Sequence, residues 1–149
     1  TLPVDQHELV ALMAPRPVLQ EDHTHDLALL KPVKPIQGGI PYLQFGSSGS
    51  VEQGDDILVL GYPLLISDGR RTDYDVPASV SGSISLIRDA EGIFQLDCAL
   101  NPGHSGGPLI SLINGEVIGV IFAKDRRGEG TGYAIKSQVA LDFLRQMGV

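Results

Sequence analysis

The sequence predicts an all-β fold with one helix at its end, the pattern of a barrel or a sandwich. Short apolar, β-branched runs recur at the spacing of strands, and 18 glycines and 10 prolines punctuate the 149 residues. Only the last segment has the periodicity of a helix. The runs that predict strands are residues 8–12, 27–33, 56–61, 78–87, 93–99, 108–112, 116–123 and 133–135.

Two of these elements carry further local signals. Between residues 78 and 87, Val80, Ile84 and Leu86 alternate with serines, a period of two that is typical of a half-buried antiparallel strand. Asn114-Gly115 lies between two apolar runs and predicts a tight hairpin.

The predicted helix follows Ser137, a residue suited to the N-cap, and ends before Gly148, which suits the C′ position. Its apolar residues recur at spacings of three and four, which places them on one face. They are Val139, Ala140, Phe143, Leu144 and Met147.

Composition excludes several classes of protein. Apolar residues make up 42% of the chain, so it is not disordered by composition. A net charge of −7 argues against nucleic-acid binding through phosphate contacts. The apolar runs, such as residues 120–123 with Val117 and Ile118 beside them, are far shorter than the ~20 residues of a membrane span. The one cysteine, Cys98, excludes an internal disulfide and a cysteine-based zinc cluster, and we interpret it as a core thiol.

The most specific stretch is residues 101–109, with the sequence NPGHSGGPL. A nucleophilic serine needs a tight turn that exposes its hydroxyl, and small neighbours let backbone N–H groups converge into an oxyanion hole. The alternative is an ordinary Gly-Pro turn. An α/β-hydrolase elbow is excluded because no histidine follows Ser105 and the next segment reads as a strand; a Walker A loop is excluded because the chain has no Gly-Lys-Ser/Thr.

The remaining order of a catalytic triad is His, Asp, Ser, and Asp26 opens an apolar run upstream of Ser105. On these residues the sequence resembles the trypsin-like serine peptidases, and most closely their HtrA (Deg) branch. The matching blocks are DLALLK (26–31), QLDCALNPGHSGGPL (95–109), GEVIGVIFA (115–123) and TGYAI (131–135).

The resemblance implies a chymotrypsin-like double β-barrel with the site in the cleft between the barrels. It implies that Ser105 is the nucleophile, that Asp26 orients the catalytic histidine, and that the N–H groups of Gly103 and Ser105 form the oxyanion hole around His104. Hydrolysis would pass through an acyl-enzyme, with no cofactor and no metal.

Four further residues acquire a substrate-binding role from the resemblance. Ala99 and Leu100 would lie at the floor of the primary specificity pocket, and Phe122 and Ala123 beside the substrate backbone. None of them is charged, so we expect a preference for small or medium aliphatic side chains.

The expected domains are residues 1–45, the C-terminal part of a first barrel that is incomplete in this chain; 46–55, a linker; and 56–149, a second barrel with the helix. The expected partner is a polypeptide substrate. HtrA relatives are commonly extracytoplasmic and trimeric, and a PDZ domain often follows; the resemblance implies a homo-oligomer outside the cytoplasm, and we expect no PDZ domain in this chain.

The catalytic histidine is not evident among the four histidines, His7, His23, His25 and His104. In the family it precedes the aspartate by a longer stretch than the 25 residues available before Asp26. We therefore expect it upstream of Thr1. The alternative is a catalytically inactive trypsin-like domain that binds peptides or proteins. A metal-dependent hydrolase built on His23 and His25 lacks a third ligand at a recognisable spacing.

Overall fold

The computed structural model describes residues 18–22, 26–30, 41–62, 65–67, 70–72, 77–124 and 131–149. The chain divides into two units, one of residues 44–138 and the other of residues 1–43 with 139–149. The strand predicted at residues 8–12 lies outside the described residues. The all-β class with a terminal helix is confirmed.

In the smaller unit, β1 (Val18–Asp22) and β2 (Leu27–Leu30) form an antiparallel hairpin in which Asp22 is opposite Leu27. Asp26 directly precedes β2 with a left-handed φ of 55°, a conformation that aspartate tolerates better than most residues. The expected strand at 27–33 is therefore present as β2, and the sequence carried no recognised signal for β1.

The larger unit contains the other strands and the start of the helix. The strands are β3 (Asp56–Gly61), β4 (Leu65–Ser67), β5 (Arg70–Thr72), β6 (Ala78–Arg88), β7 (Ile93–Asp97), β8 (Pro108–Ser111), β9 (Val117–Lys124) and β10 (Thr131–Lys136). The helix, α1, comprises Ser137–Gln146. Six of the strands close into an antiparallel barrel in the order β10-β7-β6-β3-β8-β9, and β4 pairs with β5 in a separate hairpin. Closure leaves each of the six strands paired on both sides, which removes the free edges that promote aggregation.

Alternation along the strands fills the barrel with apolar side chains. Because successive residues of a strand point to opposite faces, every second residue of β3 and β7 is inside. Ile57 and Val59 of β3 and Phe94 and Leu96 of β7 are completely buried. Cys98 is buried in the same cluster, which confirms its interpretation as a core thiol.

Strand β6 departs from the simple alternation that its sequence predicts. Ile84 is opposite Leu96 on β7, but Leu86 rather than Ser85 is opposite Gln95, so a bulge lies at Ser85. A bulge of one residue exchanges the two faces of the strand beyond it. Ile84 is therefore buried as expected, whereas Leu86 is one of the exposed large apolar residues.

The hairpin predicted at Asn114-Gly115 is confirmed and joins β8 to β9. Gly115 has a φ of 75°, and its N–H donates to the Ser111 carbonyl over 2.9 Å. The Asn114 side-chain oxygen accepts the N–H of Glu116 at 3.1 Å, which fixes the turn from within.

The segment before β3 is anchored to the barrel by backbone and hydroxyl contacts. Val117 donates to the Gln44 carbonyl over 2.8 Å and accepts from the N–H of Gly46 over 2.9 Å. Ser137 donates its hydroxyl to the Gly46 carbonyl at 2.8 Å, and the Ser48 hydroxyl accepts the N–H of Gln138 at 3.2 Å. A side chain 90 positions away therefore satisfies an N–H of the first helical turn.

Helix α1 ends as its sequence predicts. Gly148 has a left-handed φ of 77°, and the N–H of Val149 donates to the Leu144 carbonyl over 3.1 Å. Ala140, Phe143 and Leu144 are buried, in agreement with the predicted apolar face, whereas Met147 at the end of that face is exposed.

Candidate active site

The predicted nucleophile lies on the connection between β7 and β8. Gly103 and Gly106, which flank His104 and Ser105, have φ angles of 102° and 83°. Residues other than glycine adopt these angles only with strain, so the two glycines let the chain reverse on either side of the serine. Ser105 is exposed as a result.

Backbone hydrogen bonds hold this turn to two strands. The Gly103 carbonyl accepts the N–H of Tyr62, just after β3, at 3.1 Å. On the other side, Gly106 donates to the Ile121 carbonyl of β9 at 2.6 Å, and Ile121 donates back to the Gly107 carbonyl at 2.9 Å. The position of Ser105 is therefore fixed by the barrel and not by the turn alone.

Two N–H groups in the turn have no backbone acceptor among the residues that the structure describes. They belong to Gly103 and Ser105, the pair that the sequence predicts for the oxyanion hole. Both residues are exposed. Backbone donors that lack an internal partner are the groups that can bind an oxyanion without first breaking a hydrogen bond.

The Ser105 hydroxyl faces β9. Its Oγ lies 3.5 Å from the Phe122 carbonyl oxygen, a distance at the weak limit of a hydrogen bond. The hydroxyl is therefore held only loosely. The structure thus brings together Ser105 and Phe122, and it places the next residue, Ala123, opposite Tyr133 of β10. The rings of Phe122 and Tyr133 lie 6.2 Å apart between centroids, tilted by 44°.

The two residues predicted for the pocket floor differ in exposure. Ala99 is exposed, whereas Leu100 is only 2% exposed and belongs to the barrel core. Leu100 packs so closely on β10 that a Cβ added to Gly132 would lie 2.4 Å from its Cδ1. Leu100 thus anchors the start of the turn in the core, and its contact with substrate stays a prediction.

Cys98, three residues before Asn101, is suited to the core rather than to chemistry. Burial, and secondly the negative charge of Asp97, raises the pKa of the thiol from 9.0 to about 11. The thiol therefore keeps its proton at neutral pH, and only the thiolate is a good nucleophile.

The other predicted residues belong elsewhere. Asp26 lies in the smaller unit, where its side chain is exposed. His7, His23 and His25, with the chelating pair considered for metal, lie outside the described residues. His104 lies within the described residues and is only 1% exposed. Within the described ranges, no three His, Cys, Asp or Glu residues are grouped so as to hold a metal ion.

Sequence reasoning did not assign a role to Gly61 and Tyr62 at the end of β3. A Cβ added to Gly61 would lie 2.8 Å from His104 Cα and 3.0 Å from the Gly103 carbonyl oxygen. The strand can approach the turn, and Tyr62 can donate to Gly103, because residue 61 has no side chain. Gly61-Tyr62-Pro63 also fits the family resemblance, as a connecting part of the second barrel, and the sequence carries no other signal for a role at the site.

Comparison with known proteins identifies the class to which this fold and turn belong. Residues 8–120 match the trypsin-like peptidase domain family, and the chain therefore belongs to that family. The predicted trypsin-like fold is confirmed, and β1 and β2 fit the predicted part of a first barrel.

The predicted similarity to the HtrA branch is also confirmed. A probable periplasmic serine endoprotease, DegP-like, of Chlamydia pneumoniae is 37% identical over 138 residues, which cover 89% of this chain and 27% of that protein. A protein of the same name from Ectopseudomonas mendocina is 32% identical over 155 residues, which cover 96% of this chain and 30% of that protein. The solved structure of the HtrA-type protease AlgW with a decapeptide matches with a TM-score of 0.70 and 28% identity. The match covers 88% of this chain and 39% of the AlgW chain. The chain thus spans less than a third of the length of these two DegP-like relatives.

Proposed function

We propose that this chain is the peptidase domain of an HtrA-like serine endopeptidase and that Ser105 is its nucleophile. The observation that carries the proposal is the glycine-flanked turn of residues 103–107, in a chain of the trypsin-like peptidase family. In that turn Ser105 is exposed, and the N–H groups of Gly103 and of Ser105 itself have no backbone acceptor among the described residues.

The geometry supports acyl transfer in two stages. Ser105 Oγ attacks the carbonyl carbon of the scissile peptide bond while a histidine base takes its proton. The N–H groups of Gly103 and Ser105 bind the oxyanion of the tetrahedral intermediate. The C–N bond then breaks, the histidine gives its proton to the leaving amine, and water hydrolyses the acyl-serine ester by the same steps.

The base in this proposal is a histidine outside the described residues, and Asp26 orients it. His104 is unsuited to the role because its ring is buried beneath the turn, where it cannot exchange a proton with substrate. The weak contact between Ser105 Oγ and the Phe122 carbonyl leaves the hydroxyl free to reorient toward such a base.

For the substrate, we propose a polypeptide with a small or medium aliphatic residue before the scissile bond. The residues assigned to substrate binding, Ala99 and Leu100 at the pocket floor and Phe122 and Ala123 beside the substrate backbone, carry no charge that could pair with Lys or Arg. Cleavage of a peptide library measures this preference directly. A clear preference for basic residues would contradict the assignment.

A homo-oligomeric, extracytoplasmic protein is part of the same proposal. The extracytoplasmic location is supported by the similarity to relatives named periplasmic endoproteases. The described part of the chain has no helix with the length and apolar character needed to cross a membrane. Light scattering of the purified protein would show whether it exceeds the mass of one chain.

The test of the proposal is peptide hydrolysis by the natural-length protein and by its Ser105→Ala variant. We expect turnover that the substitution reduces by several orders of magnitude, because the acyl-enzyme cannot form. Peptide binding without turnover in the unchanged protein would favour the alternative, an inactive trypsin-like domain that serves as a binding module.

A further inference from the structure

The residue between the two free N–H groups is unusual for an exposed turn. His104 is 1% exposed although Gly103 and Ser105 on either side of it are exposed. Its Nε2 has no hydrogen-bond partner among the residues that the structure describes. Burial of an unpaired ring nitrogen is unfavourable, so other contacts of this ring must compensate for it.

The compensating contacts are made through the other ring nitrogen. Nδ1 lies 3.1 Å from the Asn101 nitrogen and 2.9 Å from the Asn101 oxygen. The Asn101 carbonyl already accepts the N–H of His104 itself at 3.1 Å. The Asn101 N–H has no other backbone acceptor within the described ranges.

These partners select one tautomer of the ring. If Nδ1 accepts from the Asn101 N–H, both polar groups of the Asn101 backbone are satisfied and one ring N–H, at Nε2, is unpaired. If Nδ1 carries the proton, the Asn101 N–H and the Nε2 lone pair are both unpaired. The neutral ring with its proton on Nε2 therefore leaves fewer polar groups without partners.

The ring also packs against the end of β3. A Cβ added to Gly61 would lie 2.9 Å from His104 Cδ2, so the ring rests directly on the Gly61 backbone. The next residue, Tyr62, donates to the Gly103 carbonyl at 3.1 Å. The ring thus spans from Asn101, where the turn begins, to the strand end that holds Gly103.

We propose that His104 is a positioning residue for the oxyanion-binding turn. By accepting from Asn101 and packing on Gly61, the ring fixes the backbone from Asn101 to Ser105, so that the N–H groups of Gly103 and Ser105 remain free for the oxyanion. This inference rests on the proposed function. It adds that the turn depends on a neutral ring acceptor beneath it, not on its glycines alone.

Two substitutions separate the acceptor from the bulk of the ring. In His104→Asn, the side-chain oxygen is as many bonds from Cβ as Nδ1 is, so it can accept from the Asn101 N–H. In His104→Gln, the oxygen is one bond further out, near the position of Nε2. The two variants are polar amides of similar chemistry and serve as matched controls for each other.

Kinetics of peptide hydrolysis by the natural-length protein test the proposal. We expect His104→Gln to lower kcat by about 100-fold with KM changed less than about threefold, as for loss of an oxyanion donor, and His104→Asn to retain kcat within about tenfold. Equal losses in the two variants, or a loss expressed mainly in KM, would overturn the proposal.

A second measurement does not depend on activity. Long-range ¹H–¹⁵N NMR correlations of the unsubstituted protein should show the His104 ring protonated at Nε2. Both variants lose the ring and shift the neighbouring amide signals, and we expect clearly larger shifts for Gly103 and Ser105 in His104→Gln than in His104→Asn. Protonation at Nδ1, or equal shifts in the two variants, would overturn the positioning role. If the unsubstituted protein shows no turnover, the proposed function fails while these spectra still decide the role of His104.

Discussion

The close approach of β3 to the serine turn makes Gly61→Ala an informative substitution. The added Cβ would lie 2.8 Å from His104 Cα, 2.9 Å from its Cδ2 and 3.0 Å from the Gly103 carbonyl oxygen. The carbon contacts are roughly 0.6 Å inside ordinary van der Waals separation. Two of the three atoms belong to the backbone, so the turn itself must move.

Overpacking of this kind costs about 1–3 kcal/mol of folding free energy. For a chain of 149 residues, that corresponds to a fall in Tm of roughly 3–10 °C. Movement of the turn should also slow the reaction of Ser105 with a fluorophosphonate. Calorimetry gives the first quantity, and the rate of adduct formation gives the second.

Gly49→Ala is the matched control. Its Cβ would have Ser47 Oγ as nearest neighbour at 3.6 Å, an ordinary contact. We expect it to be neutral or to stabilise by about 0.4–1 kcal/mol, because alanine restricts the unfolded chain. If Gly61→Ala left both Tm and the labelling rate at the values of Gly49→Ala, the described packing of the turn on β3 would be refuted.

Three further predictions concern the barrel and its connections. Ser48→Ala should lower the free energy of unfolding by about 0.5–2 kcal/mol in urea titrations, because the N–H of Gln138 loses an acceptor. Ser50→Ala, at an exposed hydroxyl, should change it by less than about 0.5 kcal/mol. Equal effects of the two substitutions would contradict the capping contact. Gly115→Ala should cost about 1–2 kcal/mol because φ is 75°, and Gly115→Asn should cost less; the reverse order in thermal unfolding would contradict the left-handed turn. Burial raises the pKa of Cys98 from 9.0 to about 11, so between these pH values the folded thiol keeps its proton and the unfolded thiol loses it. The free energy of unfolding should therefore fall between pH 9 and 11, and it should fall less in Cys98→Ala. The same pH dependence in both proteins would contradict that cause.

The parts of the fold that local chemistry determines could be predicted from the sequence. Asn114-Gly115 predicts its hairpin because Gly115 adopts a left-handed φ without strain and the Asn114 side chain can accept a backbone N–H within the turn. The run at residues 56–61 predicts β3 with the bounds observed, since a short continuous apolar run between turn residues is typical of a buried strand. The short β4–β5 hairpin was missed, although an Asp-Gly pair lies between its two strands in the sequence.

Features set by distant residues could not be predicted. The bulge at Ser85 depends on segments other than its own: Gln53 donates its side-chain amide to the Ser85 carbonyl over 2.7 Å, and β7 sets the register. The burial of His104 depends on the absence of a side chain at Gly61, in another strand. The residues adjacent in sequence to Ser85 and to His104 do not indicate these contacts with distant segments.

The candidate site likewise has a part that local residues determine, which the sequence predicts, and a part that distant residues determine, which it does not. The spacing of glycines around Ser105 predicts an exposed serine, because left-handed backbone angles are a local property of Gly103 and Gly106. The placement of Phe122 beside that serine follows from the pairing of β9 with the turn, which only the resemblance to a known family suggested.

Intact-mass analysis after incubation with a fluorophosphonate shows whether Ser105 is activated, with the natural-length protein and its Ser105→Ala variant side by side. We expect one covalent adduct on the unsubstituted protein and none on the variant. Absence of an adduct, or an adduct that persists in Ser105→Ala, would contradict the assignment of Ser105 as the activated nucleophile.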